Sequence, residues 1–150
     1  MVGEIAPNFS LMDQNGNSFD LYKNLDKRVL LIFYPKDKSL ICTKQLSDYN
    51  RNLEIFEKNK IRVVAINTAS SDSHLSFCNE QDFGFPLLSD TTKEVSKKYN
   101  ALNLFGINKR KLVLIDMDKI VKIEKVTPFI SFMDTEQVID SLNKDIYNKN

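Results

Sequence analysis

The residue best placed for chemistry is Cys42, because of what stands on either side of it. Six apolar residues, Val29-Leu30-Leu31-Ile32-Phe33-Tyr34, read as a buried strand and are followed by Pro35-Lys36-Asp37-Lys38-Ser39-Leu40-Ile41-Cys42. Beyond the cysteine, Leu46, Tyr49, Leu53 and Phe56 recur at three- and four-residue steps, which predicts a helix from near Cys42 to Lys60 with one face in the core. The thiol is thus expected at a strand-to-helix junction. A cysteine in the first helical turn sits at the positive end of the helix dipole among free amide donors, an environment that favours the thiolate, its nucleophilic form. Pro35 would fix the backbone as it leaves the strand, and Ser39, three residues before the thiol, can cap the helix or donate to a substrate oxygen. The bland alternative is that Cys42 is a small buried hydrophobe.

The second cysteine, Cys78, is expected to share a helix face with Leu75. Two cysteines are too few for a disulfide scaffold, so redox chemistry is the more informative use of them, with core packing the alternative for Cys78. The sole histidine, His74, has neither a second histidine nor a close-spaced cysteine to complete a ligand set, and no metal is expected. It is expected on the surface of a helix's first turn. Arg110 lies within Lys109-Arg110-Lys111, which taken alone reads as a solvated strand entrance.

The remaining elements must hold these groups in place. Val63-Val64-Ala65-Ile66 and Leu112-Val113-Leu114-Ile115 predict two further buried strands, and Val121-Lys122-Ile123-Glu124, after the turn residues Asp116-Met117-Asp118-Lys119, an antiparallel partner. A hairpin is predicted near the start, from Phe9–Met12 and Ser18–Leu21 around Asp13-Gln14-Asn15-Gly16-Asn17. Helices are predicted from Ser71 or Asp72 through Gln81, and from Thr91 or Thr92 to Tyr99. A last one follows a capping box formed by Asp134 and Gln137, with Val138, Ile139, Leu142 and Ile146 as its apolar stripe. A β-α-β crossover followed by an antiparallel pair implies an α/β protein: a mixed central sheet flanked by helices, with an N-terminal β-hairpin, as in the thioredoxin-like fold. The 150 residues suit one domain, 1–150. A net charge of +1 supplies no field for nucleic acid or anionic lipid, and neither a secretory leader nor a membrane-spanning run is present, so a cytoplasmic location is expected.

The segment around Cys42 resembles the peroxiredoxins, whose active-site motif Pro-x-x-x-Thr/Ser-x-x-Cys is met by Pro35, Ser39 and Cys42. Ala6-Pro7-Asn8-Phe9, Phe33-Tyr34-Pro35-Lys36, Phe85-Pro86-Leu87-Leu88-Ser89-Asp90 and Leu114-Ile115-Asp116 resemble segments of the peroxiredoxin Q, or bacterioferritin comigratory protein, subfamily. The resemblance implies a cofactor-free thiol peroxidase acting on hydrogen peroxide or an alkyl hydroperoxide through a sulfenic acid at Cys42. Arg110, at the start of a late strand, would stand beside the thiolate. Thioredoxin or another thiol would be the reductant, and the chain a monomer or weak homodimer. Ser47 stands where many subfamily members carry their resolving cysteine, five residues after Cys42, whereas others resemble this chain in carrying it in the helix after the second central strand, the place of Cys78. A Cys42–Cys78 disulfide is therefore implied, and with both thiols in helices it would require local unwinding. A one-cysteine cycle with an external thiol and a non-enzymatic thioredoxin-fold binding module are the alternatives. Ile41 and Lys119 replace common glycines, so Ile41 can narrow the pocket or alter its loop, and Lys119 is strained if its turn needs positive φ.

Overall fold

The computed structural model describes residues 1–147, with side chains through Lys144. The strands form one seven-stranded mixed sheet in the order β2-β1-β5-β4-β3-β6-β7. They are β1 (Ser10–Met12), β2 (Ser18–Asp20), β3 (Arg28–Phe33), β4 (Ile61–Asn67), β5 (Leu87–Ser89), β6 (Arg110–Ile115) and β7 (Val121–Thr127). The helices are α1 (Leu40–Arg51), α2 (Leu53–Lys58), α3 (Ser71–Gln81), α4 (Glu94–Lys98) and α5 (Thr135–Tyr147). The central strand β3 pairs parallel with β4 and antiparallel with β6. Its side chains alternate: Leu30, Ile32 and the following Tyr34 join one core cluster, while Val29, Leu31 and Phe33 join the other. That division explains the unbroken apolar run, since both sheet faces are covered. Cys42, Leu46, Tyr49, Phe77, Cys78, Val138 and Leu142 pack on the first face, Phe9, Val95 and Tyr99 on the second.

The thioredoxin-like architecture and its N-terminal hairpin are as the sequence predicts, with local differences. The expected helix from Cys42 to Lys60 is two, broken at Asn52 (φ −112°, ψ 21°), whose side-chain amide donates to Asp48 O at 2.7 Å and so takes a carbonyl the backbone ladder would use. The helix expected from Thr91 or Thr92 begins only at Glu94, after Lys93 in the left-handed region (φ 65°). Asp90, rather than either threonine, takes its amide protons, from Val95 at 3.3 Å and Ser96 at 2.7 Å. Leu87–Ser89 is a strand, parallel to β4 and bridged through Ser89 to Met12, which ties the N-terminal hairpin into the main sheet. Lys119 does adopt positive φ (71°), in the turn between β6 and β7.

The capping box holds in both directions. Gln137 N donates to Asp134 Oδ1, and Asp134 N donates to Gln137 Oε1, each at 2.9 Å. Val138 and Leu142 then face the core, while the side chain of Ile146 lies outside the described residues. Asp134→Ala is expected to cost about 1 kcal/mol, the usual worth of an N-cap, read as a lowered urea midpoint at unchanged slope.

Candidate active site

Cys42 is the third residue of α1, at its N-terminal end, and has no solvent exposure. Ser39 is the N-cap: its backbone is extended (φ −68°, ψ 152°) and its Oγ accepts from Cys42 N at 3.4 Å. The helix starts because Ser39 supplies an acceptor to a first-turn amide that would otherwise lack one. Pro35 forms a bend directly after β3 and is half-buried, and Lys38 turns the chain through positive φ (64°) just before the cap. Ile41 lies within the helix with ordinary negative φ, so the glycine it replaces is not required by the backbone.

Arg110 opens β6 and reaches across the sheet end to the thiol. It is 3% exposed, so the reading of a solvated strand entrance does not hold. Its Nη1 lies 3.5 Å from Cys42 Sγ and donates to Gln45 Oε1 at 2.7 Å, while Nη2 donates to Phe129 O at 2.9 Å. Gln45 in turn donates to Tyr49 Oη at 3.1 Å, and Tyr49 donates to Met133 O at 2.6 Å. Burial, chiefly, pushes the Tyr49 phenol up, which keeps it a donor. The guanidinium is thus held in one orientation by α1 on one side and the segment before α5 on the other, with Nη1 at the sulfur. Arg110 Nε is buried and has no hydrogen-bond partner among the described residues.

A second polar group lies behind the loop. Asp37 is 7% exposed and its carboxylate accepts from Tyr34 Oη at 2.5 Å, Asn67 Nδ2 at 3.0 Å, Ser73 Oγ at 2.7 Å and His74 Nδ1 at 2.8 Å. His74, expected on the surface, is instead fully buried, because Asp37 and the Leu88 carbonyl give both ring nitrogens partners.

Cys78 lies in α3, as the resemblance implied, and is 8% exposed beside Phe77, but the face it shares is that of His74 and Phe77 rather than of the exposed Leu75. Burial, with lesser repulsion from Asp37 and Asp13, pushes its thiol up to about 11. Both cysteines are free and are not near each other. The structure therefore brings Cys42, Ser39 and Arg110 together at the loop that Pro35 begins, and keeps Cys78 apart.

Sequence reasoning missed Gln45, Asp37 and the buried place of His74. Gln45 was legible in principle, since three residues after Cys42 it shares the thiol's helix face, and His74 likewise precedes Phe77 and Cys78 by three and four. The Phe129 carbonyl carries no residue-type signal.

The AhpC/TSA family profile matches residues 2–123. The chain is a member of that family, the peroxiredoxins. It is 35% identical over 123 residues to the chloroplastic peroxiredoxin Q of Sedum lineare, covering 81% of this chain and 66% of that protein. To a chloroplastic 2-cysteine peroxiredoxin of Chattonella marina it is 31% identical over 132 residues, covering 81% and 68%. The chain spans about two thirds of the length of these curated relatives. Among solved structures it superposes on the reduced 2-Cys peroxiredoxin of Plasmodium vivax with a TM-score of 0.87 at 28% identity, covering 99% of both chains. The peroxiredoxin resemblance of Pro35, Ser39 and Cys42 and the peroxiredoxin Q resemblance of the flanking segments are thus matched by similarity along most of the chain. Among the described residues of this peroxiredoxin no helix is long and apolar enough to cross a membrane.

Proposed function

We propose that this peroxiredoxin is a thiol peroxidase in which Cys42 attacks the peroxide and Cys78 resolves the product. The observation that carries the reading is the buried Arg110 guanidinium 3.5 Å from Cys42 Sγ at a helix N-terminus. The Cys42 thiolate displaces at the outer peroxide oxygen. The S–O bond forms, the O–O bond breaks, and the alkoxide or hydroxide leaves and takes up a proton, giving Cys42 sulfenic acid. Charge moves from sulfur to the departing oxygen, where the Arg110 donors, including its unpartnered Nε, the Ser39 hydroxyl and first-turn amides supply fixed stabilisation. No organic cofactor or metal enters this cycle. Cys42 is fully covered, so admitting a peroxide requires the surrounding side chains to part.

Recycling is proposed to run through a Cys42–Cys78 disulfide reduced by thioredoxin. Packed as it is, with its thiol pushed up to about 11, Cys78 holds only about one thiolate in 10⁴ at neutral pH, and the two sulfurs do not meet, so the step requires α3 or the Cys42 loop to open. The test is thioredoxin-coupled turnover with hydrogen peroxide and an alkyl hydroperoxide, in the parent protein and in Cys78→Ser. The parent is expected to cycle, and Cys78→Ser to accumulate sulfenic acid and lose at least about tenfold in coupled turnover. Normal cycling by Cys78→Ser, with Cys78 still a free thiol in the oxidised parent, would replace this reading by a one-cysteine cycle. No peroxide consumption by either protein would favour a binding module.

A further inference from the structure

Between the Cys42 loop and the Cys78 helix runs a set of polar contacts that the peroxide step does not use. From the loop, Asp37 accepts from Ser73 Oγ at 2.7 Å and from His74 Nδ1 at 2.8 Å, both on α3. The next residue, Lys38, donates to Ser76 Oγ at 2.7 Å and pairs with Glu80 at 3.1 Å, again on α3. Tyr34 and Asn67, at the ends of β3 and β4, supply the other Asp37 bonds. His74 Nδ1 meets a carboxylate already receiving three other donors and lies 3.5 Å from Tyr34 Oη, and Nε2 lies 3.1 Å from Leu88 O. The ring and the Asp37 carboxylate thus form a buried pair with hydrogen-bond partners on every side. Burial alone would raise the Asp37 carboxyl, but the hydrogen bond and charge of His74, with the donors Tyr34 and Ser73, outweigh it and hold the group below the usual carboxylate range.

These bonds fix the relative position of the two segments that must rearrange before the two sulfurs can meet. We infer that the bonds from Asp37 and Lys38 to Ser73, His74, Ser76 and Glu80 form a clasp that sets the rate of disulfide formation by holding α3 against the Cys42 loop. The inference rests on the proposed resolving role of Cys78. The step it governs is attack of the Cys78 sulfur, as thiolate, on the sulfur of Cys42 sulfenic acid: an S–S bond forms, the S–O bond breaks, and hydroxide leaves, combining with the proton from Cys78 as water. Nothing is reduced from outside. While the clasp is shut, sulfenic acid persists and a second peroxide can carry it to sulfinic acid, so clasp strength also sets resistance to overoxidation. Ser73, His74, Ser76 and Glu80 are positioning residues in this scheme, acting through α3 and not on the peroxide.

The test uses Ser73→Ala combined with Glu80→Gln, which loosens the clasp from the α3 side and leaves the buried Asp37–His74 pair in place. The rate of the first step is read by competition with a haem peroxidase. Disulfide formation is read by acid quench and thiol alkylation, and overoxidation by the mass of the Cys42 peptide after thioredoxin-driven cycling at graded peroxide. The expected result is an unchanged first step, with disulfide formation faster by roughly fivefold for each of the two substitutions and a matching rise in the peroxide needed to sulfinylate half of Cys42. In Cys42→Ser, where no disulfide can form, the same pair of substitutions should speed alkylation of Cys78 by a similar factor. If the disulfide forms at the same rate with and without the substitutions, the clasp does not gate the step and the inference fails alone. If the parent forms no Cys42–Cys78 disulfide, the resolving role fails and the inference with it.

Discussion

Cys42→Ser is expected to lower peroxide reduction to the level of buffer, a loss of roughly 10⁴-fold or more, while the far-ultraviolet spectrum and urea midpoint stay close to those of the parent. A serine hydroxyl is not ionised at neutral pH, and neither the helix terminus nor Arg110 can supply enough stabilisation to make it so. The substitution is nearly isosteric at a site with no solvent exposure, and Ser39 keeps its cap on the residue 42 amide, so the helix start should survive. Competition with a haem peroxidase for limiting peroxide gives the rate directly. Turnover within tenfold of the parent would remove Cys42 from the chemistry.

Arg110→Lys is expected to slow the same step by about 10²-fold, at unchanged net charge. The guanidinium here does several things at once. Nη1 serves Cys42 and Gln45, Nη2 fixes the Phe129 carbonyl, and Nε has no partner among the described residues. A lysine ammonium carries three donors on one atom and cannot reach α1, the segment at Phe129 and a bound peroxide together. The proposed resolving step uses Cys78 on α3, which the substitution does not touch, so disulfide formation after oxidation is expected to keep its parent rate. A peroxide rate equal to the parent's would mean that the 3.5 Å approach to Cys42 has no part in catalysis.

Much of this site could be read in the residues before any coordinates, for a physical reason. The strand, the proline, the serine cap and the amphipathic helix are neighbours in sequence, and local rules of apolar period and capping place Cys42 at a helix terminus without reference to the rest of the chain. Arg110 required the family resemblance, since Lys109-Arg110-Lys111 alone looks solvated; only the pairing of β6 with β3 carries the guanidinium to the thiol. At His74 the local pattern misleads. A lone histidine in a serine-rich helix start suggests solvent, yet His74 is buried because an aspartate 37 positions earlier and a carbonyl 14 positions later converge on it. Long-range polar satisfaction of that kind leaves no periodic trace. The break at Asn52 and the late start of α4 failed for a related reason, a side chain competing with or replacing the backbone at one point in an otherwise helical pattern.

The central claim is that Cys42 is the sulfur that takes oxygen from the peroxide. Reduced Cys78→Ser, treated with one equivalent of hydrogen peroxide in the presence of dimedone and digested, puts that claim to the most direct measurement. The prediction is a single dimedone adduct on the Cys42 peptide, formed in proportion to the peroxide consumed, and absent when Arg110→Lys is tested at matched short times. An unmodified Cys42 peptide after the peroxide has been consumed would contradict the account.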